Sequence, residues 1–401
     1  MLVQFSVKNF ASLKNENTFD MTAIKAYKEH EYNLIEIGLK DKFLKVAAVY
    51  GANSSGKSNF IWAFDTFQTI IRKSFNNIER DEGTILEQLF IPYLFDKKSR
   101  ISPIEFEVIF IHKGFEYKYG FIYNSEKIIN EWLYRKSLQT NRNSTIYERN
   151  KDNTIVLGAS VKKSCDHFVD QIPKDTLALS FFNRLNLSTT VYKDAYEGIM
   201  DTLVLGTDFN EDCSNVLVEH LPGEIDEGKE ELLMYLEAID SRIKDIKYVE
   251  KDGEKNILVV HENMQGEKYI SSLFLESEGT LKSLALYLFA KAAIITDRSL
   301  LIDELNIKLH PLLLKFIIDL FNTSKSRAQL IYTTHDTTLL NRRFFRRDQV
   351  WFVQKEDDGS SALYSLAEFK VRPDASFEKE YLGGVYGGIP TLKDFKLDEV
   401  E

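Results

Sequence analysis

Cysteine is scarce in this chain: Cys165 and Cys213 are the only two among 401 residues. Two thiols cannot build a disulfide framework or a Cys-rich zinc site, and the reducing cytosol is the compartment they imply. Seven prolines are too few for long proline-rich linkers. Basic residues are outnumbered, 51 Lys plus Arg against 61 Asp plus Glu, for a formal net charge of −10. That balance does not suit a wholesale nucleic-acid coat and leaves room only for a local basic patch. No run reaches the roughly 20 apolar residues that span a bilayer. The most apolar stretch, Leu284 to Ile295, is interrupted by Lys291 and reads as a buried helix. The opening Met1 to Ser6 lacks a basic segment followed by an apolar one, so no export signal is expected. A soluble, cytoplasmic chain without membrane contact is the expectation. Repeats and low-complexity tracts are also missing. What is present is ordinary for globular protein, 44% hydrophobic and 28% charged, which excludes disorder and coiled-coil bias. The length suggests about two or three domain-sized units.

Hydrophobic spacing supplies the elements. The opening LVQFSVKNF alternates as a strand, and Lys45 to Tyr50 reads as a short buried strand. From Ser58 the spacing is helical, with Phe60, Ala63, Phe64, Phe67, Ile70 and Ile71 on one face. Between 103 and 158 the period changes to two: Ile104, Phe106, Val108 and Phe110, then Phe115, Tyr117, Tyr119, Phe121 and Tyr123. That predicts an antiparallel meander, whose aromatic face would pack in a core or, less commonly, stack bases. Residues 160 to 240 read as helical, clearest at Leu177 to Leu187 and Glu231 to Ile243. The acidic stretch 205–230, with Gly206, Gly223 and Gly228, reads as a surface loop or variable insertion. Strands are expected at 245–250, 256–261, 268–274, Ser299 to Ile302, Ala328 to Thr333, Gln349 to Gln354 and Ser361 to Leu366. Helices are expected from Gly279 to Ile295 and at 311–322. Strand–helix alternation at both ends defines the α/β class, with one discontinuous domain carrying an insertion.

The chemistry starts at Gly51-Ala52-Asn53-Ser54-Ser55-Gly56-Lys57-Ser58, which fits G-x-x-x-x-G-K-[ST] at every fixed position, between an expected strand and an expected helix. Glycines let the backbone wrap phosphates, and successive N–H groups at a helix start offer positive partial charge. ATP is the expected ligand. Lys57 would reach the β- and γ-phosphates and Ser58 would ligate Mg²⁺. A second element is Ser299-Leu300-Leu301-Ile302-Asp303-Glu304, an apolar run closing on two carboxylates. Asp303 suits Mg²⁺, and Glu304 could polarise the attacking water. A third is Ala328 to His335, a buried strand ending in a histidine able to reach a γ-phosphate. Ser277 and Gly279 open a further helix, either as a plain cap or as a second anion-binding N-terminus.

In this order the elements resemble ABC-type ATPases of the SMC, Rad50 and RecF kind. Gly51 to Ser58 looks like their Walker A loop, Ser277-Glu278-Gly279-Thr280 like a divergent signature, and Leu300 to Glu304 like Walker B. Leu305 to His310 sits at the D-loop position, His335 matches the switch histidine, and Asn9-Phe10-Ala11-Ser12 is similar to their first-strand segment. The chain also resembles ATP-binding proteins of bacterial anti-phage loci, such as the AbiL ATPase, RloA-like proteins and AriA. Glu276 to Thr280, Leu309-His310-Pro311, Thr333 to Thr337, Arg347 to Phe352 and Phe377 to Gly384 carry that likeness. It implies an ABC-type head without a long coiled coil, divided as 1–100 with Walker A, a β-meander at 101–160, a helical arm at 161–244, and 245–401 with signature, Walker B and switch histidine. Glu278 stands where most such proteins have glycine, which leaves the γ-phosphate contact to Ser277 and Gly279. The Q-loop glutamine has two candidates, Gln88 and Gln139.

The resemblance implies a homodimer or higher oligomer in which Ser277 completes the partner copy's ATP site. It further implies a sensor or switch that controls a separate effector in abortive infection. Residues 336–401 are too few for an appended Toprim nuclease domain. One alternative is a DNA-repair ATPase, drawing on Arg342-Arg343-Phe344-Phe345-Arg346-Arg347 as phosphate holders. The other is a nucleotide-bound scaffold with slow hydrolysis.

Overall fold

The computed structural model describes residues 1–38, 41–76, 83–206, 208–209, 212–251, 253–372 and 375–390. At its centre is a six-stranded sheet in the order Thr202–Leu205, Ser299–Ile302, Gln329–Thr334, Val46–Tyr50, Val350–Lys355, Ser361–Ser365. The first five strands run parallel, and Ser361–Ser365 closes the edge antiparallel to its neighbour. Val46–Tyr50 is buried throughout, which is why it reads as an unbroken apolar run instead of an alternation. Its side chains nonetheless divide by period two. Ala47 and Val49 join one core, and Val46, Ala48 and Tyr50 the other.

The first core lies between this sheet and a seven-stranded antiparallel one. Strands Leu2–Lys8 and Asn17–Asp20 pair with the meander Ile104–His112, Phe115–Tyr123, Ile128–Ser137, Asn143–Arg149 and Ile155–Leu157. The helix Lys57–Lys73 fills that core. Phe67 stacks on Phe121 at 5.6 Å, Phe64 meets Phe5 edge-on at 4.8 Å, and Phe106 is in contact range of both Phe5 and Phe67. The aromatic face of the meander is therefore packed, not offered to bases. The second core takes the helices Ser214–Ile239, Glu278–Thr296 and Pro311–Thr323. Among the described residues Glu278–Thr296 is one helix long and apolar enough to cross a membrane, yet Leu284, Ala285, Leu286, Ala290 and Ala293 are buried in that core.

Two readings are corrected. The stretch 205–230 is not a surface loop: Ser214–Ile239 is helical, with Pro222 inside it and non-helical backbone at Gly228. Leu217, Leu221, Ile225, Leu232 and Leu236 recur at spacings of four and seven residues and bury that face, which outweighs the proline and glycines. Of that stretch, residues 207, 210 and 211 lie outside the described residues. The expected helix at Glu231 to Ile243 is its second half, and Ile243 begins the strand Ile243–Lys251. The arginine cluster is not one surface either. Arg346 is fully buried, bonded to Asp348 and to the carbonyls of Ile24, Tyr27 and Glu29. Arg347 lies 3.9 Å over the Tyr27 ring and pairs with Glu29.

A buried polar network joins the antiparallel sheet to the helices after it. Glu131, 1% exposed, accepts from the hydroxyls of Tyr119 (3.0 Å) and Tyr147 (2.6 Å) and from the amides of Ala178 (2.8 Å) and Leu179 (3.1 Å). Arg149, equally buried, lies 3.8 Å from it and donates to the carbonyls of Pro173 and Thr176.

Candidate nucleotide site

Gly51 to Gly56 leaves the central strand and turns into the helix Lys57–Lys73, whose N-cap Gly56 holds φ at 109°. Only glycine suits that position: a Cβ there would lie 2.2 Å from Ser361 Oγ and 2.8 Å from Ser12 Oγ. A Cβ at Gly51 would lie 2.6 Å from both Ser55 Oγ and the Val353 carbonyl. The Ser55 hydroxyl is buried without a hydrogen-bond partner, a polar atom left waiting inside the cradle. Asn53, Ser54 and Ser58 are exposed around the same loop. Ser12 braces it from outside, accepting from Ser361 Oγ and Asn59 Nδ2, both at 2.7 Å.

Parallel register carries the other groups to the same sheet edge. Val46–Tyr50 and Gln329–Thr334 are adjacent, and Ser299–Ile302 lies next. Their carboxyl ends therefore present the loop, Asp303–Glu304 and Thr333 to His335 together. Lys57 is 4% exposed and donates from Nζ to the carbonyls of Gly51 (2.9 Å) and Ala52 (3.1 Å). The same ammonium lies 3.3 Å from Glu304 Oε1. Glu304 Oε2 in turn lies 2.9 Å from His335 Nδ1, so lysine, glutamate and histidine form one chain. Thr333 Oγ1 donates to Asp303 Oδ1 (2.6 Å) and accepts from the Glu304 amide (2.7 Å). One hydroxyl thus fixes both acids. Asn306 approaches His335 Nε2 at 3.4 Å and is held by Thr334 Oγ1.

Ser58 and buried Asp303 line a common cavity of about 520 Å³, with Trp62, Asp65 and Asp208 also on its wall. A hydroxyl and a carboxylate facing one polar space are the donor set for a hard cation such as Mg²⁺. Ser12, Asn306 and Thr333 fall in segments that carry the resemblance but have no site role of their own there, and Ser361 reads only as the start of a strand. Thr333 lies two positions before His335 and Asn306 two positions after Glu304, a signal by nearness alone.

Ser277 caps the helix Glu278–Thr296, accepting from the Thr280 amide at 3.1 Å. Among the described residues, no hydrogen bond or ion pair joins Ser277 or Gly279 to Gly51–Ser58. Gly279 instead lets its helix approach the loop after Glu304, since a Cβ there would lie 2.8 Å from the Lys308 carbonyl. Glu278, the departure from glycine, is exposed and pairs with Lys308 at 3.5 Å. Lys282, one turn on, donates from Nζ to the carbonyls of Leu305 (3.3 Å) and Ile307 (2.6 Å), tying the helix to that loop. Of the Q-loop candidates, Gln88 ends the short helix Ile85–Gln88, and Gln139 lies in the hairpin turn after Ile128–Ser137.

Burial pushes the Lys282 ammonium down to about 8. Its folded value lies below the unfolded one of 10.5, so between these limits the unfolded chain binds the extra proton. Stability is therefore expected to rise with pH from about 8 to 10.5, by on the order of 2–3 kcal/mol from this group. Lys282→Met removes that rise. Urea unfolding of both proteins at pH 7.5 and 10 checks it, and parallel pH dependences would refute it.

A glycine-framed loop between a central parallel strand and a helix, beside a buried aspartate, a glutamate and a histidine, is the arrangement of an α/β P-loop nucleotide-binding fold. The chain belongs to the family described as "AAA domain, putative AbiEii toxin, Type IV TA system", whose model matches residues 46–195 and 214–341. No curated protein matches it at a significant level. Among solved structures it is similar to an SMC head bound to the C-terminal winged-helix domain of ScpA. Identity is 14% and TM-score 0.47, covering 95% of this chain and 99% of that one. It is also similar to the SMC head domain from Thermotoga maritima, at 14% identity and TM-score 0.43, covering 91% and 98%.

Proposed function

We propose that this chain is an ATP-binding and ATP-hydrolysing switch that self-associates with ATP and controls a separate effector in abortive infection. The observation that carries the reading is the chain from Lys57 through Glu304 to His335 at the mouth of Gly51–Ser58. Lys57 donates to the Gly51 and Ala52 carbonyls and pairs with Glu304. Triphosphate oxygens are better acceptors than carbonyls and would draw the ammonium away, leaving Glu304 to orient water and His335 to meet the γ-phosphate. Ser58 and Asp303 would hold Mg²⁺, which when bound neutralises phosphate charge. The loop amides of Asn53 to Ser58 and the helix N-terminus would supply the remaining positive potential.

Ser277 and Gly279 have no role at this site within one chain. In the proposed assembly they act on the site of a second copy, as in the families resembled. Negative phosphates held between two helix N-termini would join the copies, and hydrolysis would release them. The family description, with its toxin and type IV toxin–antitoxin wording, supports the defence setting and a partner protein. A cytoplasmic location fits that setting. The DNA-repair alternative loses support, because Arg346 is buried and Arg347 stacked, leaving Arg342 and Arg343 as the exposed pair. A slow scaffold remains distinguishable by its turnover.

Glu304→Gln keeps the side chain's size while removing its basicity, and hydrolysis is expected to fall by about 10²–10⁴-fold with ATP binding retained. Sedimentation of this variant should show roughly doubled mass with ATP. The same mass with and without ATP would refute the self-association.

A further inference from the structure

The motif near the carboxyl end, Phe377 to Pro390, has no role in the chemistry above, yet it lies against the phosphate-binding loop. The helix Phe377–Leu382 is followed by Tyr386-Gly387-Gly388, and the Gly388 carbonyl accepts from the Ala52 amide at 2.8 Å. That is the second residue of the loop, held by the tail and not by any strand. The contact is heavily built. Tyr381 Oη donates to the same carbonyl at 2.9 Å, and the Gly388 amide donates to Gln354 Oε1 at 3.2 Å. Tyr364 Oη bonds the Tyr386 carbonyl at 2.7 Å. Tyr381 and Tyr386 both stack on Phe352, at 5.2 and 5.6 Å.

Both glycines are required by geometry. Each has φ of +69°, and a Cβ at Gly387 would lie 2.0 Å from Gln354 Oε1. At Gly388 a Cβ would meet the Tyr381 ring at an ordinary 3.4 Å, so there the left-handed backbone alone calls for glycine. The same short helix touches the opposite wall of the site: Thr337, two residues after His335, donates to Glu378 at 3.3 Å.

We propose that residues 377–390 form a clamp that positions the entrance of the phosphate-binding loop and couples it to the loop bearing His335. The proposal rests on reading Gly51–Ser58 as the nucleotide site. Holding Ala52 fixes where the loop starts its turn, so the amides that follow need less reorganisation to meet phosphate. Because coupling is reciprocal, nucleotide must stabilise the clamp as much as the clamp aids nucleotide.

The test uses the full chain carrying Gly388→Val, with Gln354→Met as a second variant that removes the acceptor of the Gly388 amide. Leu382→Ala, at an exposed position of the same helix, is the control. In nucleotide-free protein, hydrogen exchange across residues 51–58 should quicken at least fivefold in both variants and stay unchanged in the control. With ATP, both variants should show about tenfold higher KM and unaltered kcat at saturation. ATP should also slow exchange of residues 384–390 in the unmodified protein. Unchanged loop exchange in folded variants overturns the clamp, whether or not ATP binds. Faster loop exchange with unaltered KM overturns its role in nucleotide binding. If the unmodified chain fails to bind ATP, the nucleotide reading falls while the exchange comparison still decides the clamp.

Discussion

Lys57→Ala is expected to weaken ATP binding by about 100-fold while leaving the fold intact. Lys57 is 4% exposed inside the loop's curve, and the partners of its Nζ are two loop carbonyls and Glu304. Exchanging these for phosphate oxygens makes charge-assisted bonds worth about 3 kcal/mol, and each 1.4 kcal/mol is a tenfold change in affinity. The cost to folding is small for a specific reason. Glu304 keeps His335 at 2.9 Å as a partner, so its carboxylate is not left alone when the ammonium goes. Calorimetric titration with ATP reads the affinity, and a circular-dichroism melt reads the fold. Equal affinity in the variant would remove Lys57 from the site. A collapsed melt would mean that the lysine is structural first.

The second large effect concerns stability, far from the phosphate loop. Glu131→Ala is expected to cost about 3–5 kcal/mol, because it leaves Arg149 as an uncompensated buried charge. It also strips acceptors from two tyrosine hydroxyls and two helix-start amides. Adding Arg149→Met should restore part of the loss, since the remaining network is then uncharged. Urea unfolding of the single and double variants checks both statements. A loss below 1 kcal/mol would show that water or rearranged neighbours replace the carboxylate.

How much of this could be read beforehand follows the range of the interactions. The strand–loop–helix around Gly51–Ser58 is contiguous and its glycines are fixed by local geometry, so it was legible. Asp303 and His335 were legible for a related reason: each closes a short apolar strand, and parallel sheets gather strand ends along one edge. Partnerships across the chain were not. The strand Thr202–Leu205 went unnoticed because four residues carry no period, and its partner Ser299–Ile302 lies almost a hundred positions on. The helix Ser214–Ile239 was hidden by Pro222, Gly223 and Gly228, local breakers overruled by burial of its leucines. Arg346 looked like surface charge because nothing nearby in sequence announces Asp348 together with three carbonyls from residues 24–29. Thr333 could have been suspected as a polar residue closing a buried strand, but its double bond to the acid pair is a tertiary fact.

Glu304 occupies left-handed backbone, at φ 47°, a region that disfavours any side chain with a Cβ by roughly 1–2 kcal/mol. Glycine would rest there comfortably. The fold therefore carries this carboxylate at a conformational loss, offset by what its oxygen pair touches: an ammonium on one side, an imidazole on the other. If nucleotide draws the ammonium off as proposed, part of that compensation would go with it. On the proposed reading, the residue assigned to turnover would then also be the one least content where it sits, and this discontent would disfavour lingering in the loaded state.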